Sequence, residues 1–192
     1  MDRKLSIGFN WQGNADRDAT FKRVKIADAA GVHSAFIAEA WGQDAFVMLT
    51  QLVERTTRIN LGTGIINYYS RTPAALAQAF ATLDEISGGR MIIGLGASSA
   101  NVIEHFHGVP FNPTLARMKE TIEIINLLMA GQPLNYHGKW FNLDRGFTLR
   151  FKTLRDHIPV YVASGNVTYA TTVAGLLGTP SYVIRLRLVP LE

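Results

Sequence analysis

No cysteine occurs in the 192 residues, so disulfides, thiolate nucleophiles and Cys-type zinc sites are excluded. No apolar run approaches the roughly 20 residues that cross a bilayer, and the opening MDRKLSIGFNWQG holds no long apolar stretch of the secretory kind. The chain is therefore expected in the cytoplasm. Lysine and arginine never gather into a block. The 19 basic and 15 acidic residues are scattered and leave a net +4, which argues against a nucleic-acid or membrane surface and for an anionic small ligand held more weakly as salt rises. Low-complexity segments and tandem repeats of the solenoid kind are missing as well. With 47% apolar residues the chain can bury a real core.

What is present is an alternation of short apolar runs with longer helical patterns, the signature of an α/β fold with a parallel sheet. Strands are predicted over 5–10, 34–38, 59–66, 91–96 and 160–163, each continuous in the way a strand covered on both faces requires. Phe21, Val24 and Ala27 form a helical stripe after Asp16 and Asp18, and Gly31 supplies its stop. Further helices are predicted over 45–54, over 74–86 with Pro73 at the first turn, and over 115–129. Between the last helix and strand five, LNYHGKWFNLDRGFTLRF alternates aromatic with polar residues, predicting a hairpin packed through Tyr136, Trp140 and Phe141. Asp84, Glu85 and Arg90 around the SGGR turn read as a helix-end salt bridge.

Parallel β/α folds gather ligands at the C-terminal ends of their strands. Here those ends read Asn10 to Gln12, Glu39 to Trp41, Gly64 to Asn67, Gly96 to Ser99 and Ser164 to Asn166. Their small residues would let a flat ligand approach the backbone, with Trp41 and Tyr68 as walls. Gly94-Leu95-Gly96 lacks the third glycine of a dinucleotide fingerprint and by itself reads as a tight turn.

Taken in order, AEAWGQDAF, LGTGIINYYSRTP, SGGRMIIGLGASS, VIEHFHGVPF, LARMKETIEII, YHGKWFNL and IPVYVASGN resemble the luciferase-like oxidoreductases, a (β/α)8-barrel superfamily, and among them the deazaflavin-dependent subgroup. The resemblance implies a TIM-barrel type fold and hydride transfer between the 5-deazaflavin coenzyme F(420) and an unknown small organic substrate; a homo-oligomer is expected separately, because an incomplete barrel leaves open sheet edges. The resemblance implies a non-prolyl cis peptide between Gly64 and Ile65 backing the ring. It also places Glu39, Thr63, Gly64, Ile65, Gly96, Ala97, Ser98, Ser164, Gly165 and Asn166 around the cofactor. Hydride transfer needs orientation and a dry pocket rather than a nucleophile, so Trp41 and His107 are the candidates left for a catalytic part.

Departures narrow the activity. Members with flavin oxygen chemistry and the sugar-phosphate dehydrogenases carry a histidine where this chain has Ala40, and the dehydrogenases a glutamate near Ser98 and Ser99. Oxidation of glucose 6-phosphate is thus disfavoured, and FMN-dependent monooxygenation is the alternative. Full barrels take about 250 residues, so the chain is expected to be incomplete, with about the first five β/α units. Residues 1–178 are assigned to the barrel and 179–192, TPSYVIRLRLVPLE, to an atypical tail. The incompleteness leaves a third reading, a non-catalytic cofactor-binding half-barrel that self-associates.

Overall fold

Runs of apolar residues at consecutive positions must be covered on both sides, and they form the centre of the sheet. The structure, a computed structural model, describes residues 4–9, 16–112 and 114–163. In chain order its elements are β1 (Ser6–Phe9), α1 (Arg17–Ala29), β2 (Ser34–Ile37), α2 (Ala45–Arg55), β3 (Asn60–Thr63), β4 (Ile66–Asn67), α3 (Pro73–Ser87), β5 (Met91–Gly96), α4 (Ala100–His105), α5 (Leu115–Met129), β6 (Leu134–His137), β7 (Asn142–Phe147) and β8 (Val160–Ala163). The ladder β1, β2, β3, β5, β8 is parallel and follows chain order, as in a barrel. β2 and β5 are buried at every residue, and β1, at the edge of the described sheet, only in part.

The helices begin where short polar side chains cap them. Asp16, Asp44, Thr72 and Thr114 each accept backbone N–H groups of the first turn, and Pro73 occupies the first turn of α3. Gly88 ends α3 with φ 68°, a left-handed conformation that glycine adopts without cost.

Three expectations are corrected. Strand 59–66 is two pieces, β3 and β4, separated by Gly64 and Ile65, whose peptide bond is cis. Helix α4 stands in what reads as a loop, because its cap residue Ser99 makes no side-chain bond and its six residues are too few for a stripe. Asp84 does not pair with Arg90. Its carboxylate takes Nε of Arg155 at 2.9 Å and Nη2 at 2.5 Å, whereas Arg90 reaches the carbonyls of Val53, Thr56 and Ile59. Asp84 is fully buried and turned toward β5, where its Oδ1 also meets the Met91 N–H at 3.3 Å. The hairpin forms as expected, β6 and β7 making their own antiparallel sheet. It is fastened to α5 by the buried Glu120, which accepts the N–H groups of Lys139, Trp140 and Phe141 at 2.8 to 3.1 Å.

Asp28 fastens the far side in the same manner. Its carboxylate accepts N–H bonds from Thr57, Arg58 and Ile59 at 2.9, 3.0 and 2.7 Å, joining α1 to the turn before β3. Burial pushes its pKa up, but these bonds and the Arg58 charge outweigh it, so the carboxyl sits below its ordinary value. A depressed folded pKa gives stability that is present above the unfolded value, about 3.9, and lost as pH falls through the folded one. Asp28→Asn is expected to lose about 1 to 3 kcal/mol at pH 7, and less relative to wild type at pH 3. Urea unfolding at the two pH values measures both.

Candidate active site

Each strand of the ladder delivers its C-terminal end to one rim. After β2 the chain turns through Glu39 and Trp41. Glu39 is not an open ligand: Oε1 takes Nη1 of Arg71 at 2.5 Å, and Oε2 takes Nη2 at 3.2 Å and the Ala45 N–H at 2.9 Å. Arg71 also bonds Asp44 and lies over the Phe46 ring, 5.1 Å from its centroid. Burial tends to lower the Arg71 pKa, but the two carboxylates raise it above its usual value. Arg71, the lone cation before the helix cap Thr72, is thus wholly engaged with neighbouring side chains.

Thr63, Gly64 and Gly96 have structural tasks. The fully buried Thr63 hydroxyl donates to the Gly94 carbonyl at 2.7 Å and accepts the Gly94 N–H at 2.9 Å. Gly94 and Gly96 lie within β5 and make no turn. A methyl on Gly64 would stand 2.7 Å from Cβ of Phe36, and one on Gly96 would stand 3.0 Å from Cγ1 of Ile65. Strand packing therefore calls for these glycines.

What faces outward is the next layer. Ile65 and Ala97 are partly exposed, and the Ile65 carbonyl accepts the Glu39 N–H at 3.1 Å, so the ends of β2, β3 and β5 meet there. Ser98 has φ 63°, a left-handed conformation uncommon for a residue with a side chain and frequent at functional turns. Trp41 is 50% exposed. Ser164, Gly165 and Asn166 lie outside the described residues, as do Asn10 to Gln12 and the tail 179–192.

The buried Asn67 links the rim to His107. Its Oδ1 accepts the Tyr69 and Ser70 N–H groups at 3.0 and 2.7 Å, which fixes Nδ2 as the donor. Nδ2 stands 3.5 Å from Nε2 of His107, a long contact that suits the ring with its proton on Nδ1. Beyond it Tyr68 stacks on Tyr69, centroids 4.9 Å apart, and the Arg117 guanidinium lies between Tyr69 and Trp140 at 4.2 and 5.4 Å. Burial pushes the Tyr69 phenol above its ordinary value, against the pull of Tyr68 and Arg117, so it keeps its proton at neutral pH.

By sequence, few of the chain's cations fall in the segments directly after the strands, although Arg117 of α5 lies over Tyr69 of one of them. The segments after the strands, 10–16, 38–44, 68–72, 97–114 and 164–178, contain one lysine or arginine, Arg71, against Asp16, Glu39, Asp44 and Glu104. The expectation of an anionic ligand drawn in by the net charge gains no support from these segments. Among the described residues no group of three or more metal-ligating side chains occurs, and no helix is long and apolar enough to cross a membrane.

Comparison with known proteins agrees with this architecture. A protein of Mycobacterium tuberculosis named as a coenzyme F(420)-dependent oxidoreductase is 38% identical over 141 residues, covering 73% of this chain and 41% of the relative. The 5,10-methylenetetrahydromethanopterin reductase of Archaeoglobus fulgidus is 36% identical over 142 residues, 73% of this chain and 42% of its own. Among solved structures, the coenzyme F(420)-dependent tetrahydromethanopterin reductase of Methanopyrus kandleri superposes with a TM-score of 0.79 at 27% identity, over 90% of this chain and 53% of that one. The chain thus spans about half the length of the relatives it matches, consistent with an incomplete barrel. The family model for luciferase-like monooxygenases matches residues 9–185, and the chain belongs to that family.

Proposed function

We propose that the chain is the N-terminal β/α part of an oxidoreductase that exchanges a hydride between the 5-deazaflavin coenzyme F(420) and a small organic substrate. The observation that carries this reading is the uncharged shelf at the meeting of three strand ends, Ile65 and Ala97 with the left-handed Ser98 beside them and the Trp41 indole on the neighbouring turn. Such a surface fits a flat neutral ring. In complete barrels a phosphate arm is commonly held by the loops after the last strands. The names of the Mycobacterium tuberculosis relative and of the Methanopyrus kandleri structure support a deazaflavin over other carriers.

When bound, the deazaflavin supplies the two-electron hydride. The chain's own residues orient and dry the site: Ile65 and Ala97 bear the ring, the Arg71 fork keeps Glu39 and the β2 end in place, and Asn67 holds the turn that carries Tyr69 and Ser70. Ala40 provides no acid or base beside Glu39. Paired fluorescence titrations with F(420) and with FMN test the reading. Tighter binding of the deazaflavin is expected, and equal or tighter binding of FMN would overturn it.

A further inference from the structure

We infer that the groove between α1 and the end of α2 binds a small organic acid, an apolar body that carries one anionic group. This site is built wholly on helices, and the oxidoreductase reading neither requires nor forbids it. A cavity of about 610 Å³ is lined there by Asp18, Phe21, Lys22, Lys25, Ile26 and Ala29 of α1 and by Arg55 from the last turn of α2, a volume in the range of small-ligand sites. The α1 residues recur at steps of three and one, so they share one face of the helix.

The charges of that face are one-sided. Lys22 and Lys25, exposed and a turn apart, are in no ion pair among the described residues. Arg55 has no carboxylate partner either: Nη1 donates to the Gln51 carbonyl at 2.8 Å, and the guanidinium lies over the Phe21 ring, 4.9 Å from its centroid. The one carboxylate of the lining, Asp18, accepts from Nε of Arg17 at 3.2 Å. Arg58 adds a cation at the end of α1 by donating to the Asp28 and Ala29 carbonyls at 2.8 and 3.1 Å. Of the other charged residues on these two helices, Asp28 is engaged by the turn before β3 and Asp44 by Arg71, while Asp16, Arg23 and Glu54 are exposed outside the lining. Like charges a turn apart repel, and an anion set among the two ammonium groups and the guanidinium relieves the repulsion. The apolar requirement comes from Ile26, 60% exposed, and the exposed Ala29 beside the lysine stems. A bare ion leaves that wall in water, and a neutral compound leaves the cations unanswered.

Three probes separate the two requirements: 2-naphthoate has ring and charge, 2-naphthalenemethanol the ring alone, and acetate the charge alone. Each is titrated against the isotope-labelled full chain at pH 7.5 and followed by amide NMR. 2-Naphthoate is expected to shift the amides of Phe21, Lys22, Lys25 and Ile26 and to bind at least about tenfold more tightly than either control. Its affinity should fall at least about threefold as salt rises from about 50 mM to about 0.5 M. Lys22→Gln with Lys25→Gln should weaken it at least about fivefold, and Ile26→Ser at least about threefold, with the fold kept because all three side chains are exposed. Lys152→Gln, outside the groove, should leave the affinity within about twofold. No saturable shift at these amides, equal binding of the alcohol or of acetate, unchanged affinity in both groove variants, or an equal loss in Lys152→Gln would each overturn the inference.

Discussion

Replacing Gly94 with alanine is expected to leave no folded protein. The added methyl would stand 1.7 Å from the carbonyl oxygen of Thr63 and 2.8 Å from its carbonyl carbon. Both are backbone atoms of β3, so no side chain can swing aside, and the two strands would have to part. Parting them breaks both hydrogen bonds of the Thr63 hydroxyl, the one it donates to the Gly94 carbonyl and the one it accepts from the Gly94 N–H, and strands buried polar groups between β3 and β5. The cost should exceed about 4 to 5 kcal/mol, comparable with the whole stability of many domains. Gly8→Ala is the control: nothing lies within 4 Å of the added methyl, and its effect should stay within about 0.5 kcal/mol. Circular dichroism and urea unfolding separate the two variants, and a native-like Gly94→Ala would refute the close approach of β3 and β5.

The second large effect is expected at Arg155. Its guanidinium forks onto Asp84, whose side chain is 1% exposed, and donates to the Met91 carbonyl at 2.9 Å. Arg155→Met leaves a buried carboxylate facing β5 without its counter-charge, at a cost of about 3 to 5 kcal/mol. The double variant Asp84→Asn with Arg155→Met removes the stranded charge too, so it should be less destabilised than the sum of the single changes. Strict additivity in a double-mutant cycle would show that the pair does not act as a unit.

These two sites also mark where the sequence is readable and where it is not. Strands 91–96 and 160–163 and the helices over 45–54 and 115–129 are legible because continuous apolar runs and capping residues are local signals. The hairpin is legible from alternation. The Arg155 partner of Asp84 is not, since the pair is separated by 71 positions and nothing near Asp84 points past the adjacent Arg90. The same holds for Arg71 and Glu39, 32 positions apart. The residue types at the strand ends identify the rim, yet only the fold shows that Glu39 is already engaged and that the Thr63 hydroxyl serves Gly94. The break between β3 and β4 falls inside an apolar run that the rule of continuous burial joins into one strand. Ser98 carries no local cue either, because serine does not announce a left-handed backbone as glycine does.

The direct pairing of β5 with β8, Ile93 beside Val160 and Gly96 beside Ala163, bears on how this chain can vary. Everything from Ala97 to Pro159 leaves the sheet and returns to the very next strand, so its length does not set the register of the barrel. Within that excursion the hairpin has a sheet of its own and hangs from α5 by the Glu120 carboxylate. Insertions, deletions or exchange of the segment between Gly131 and Arg150 can therefore accumulate over evolutionary time while β5 and β8 stay in step. Divergence between lineages should concentrate there, and the strand ends should change by single substitutions.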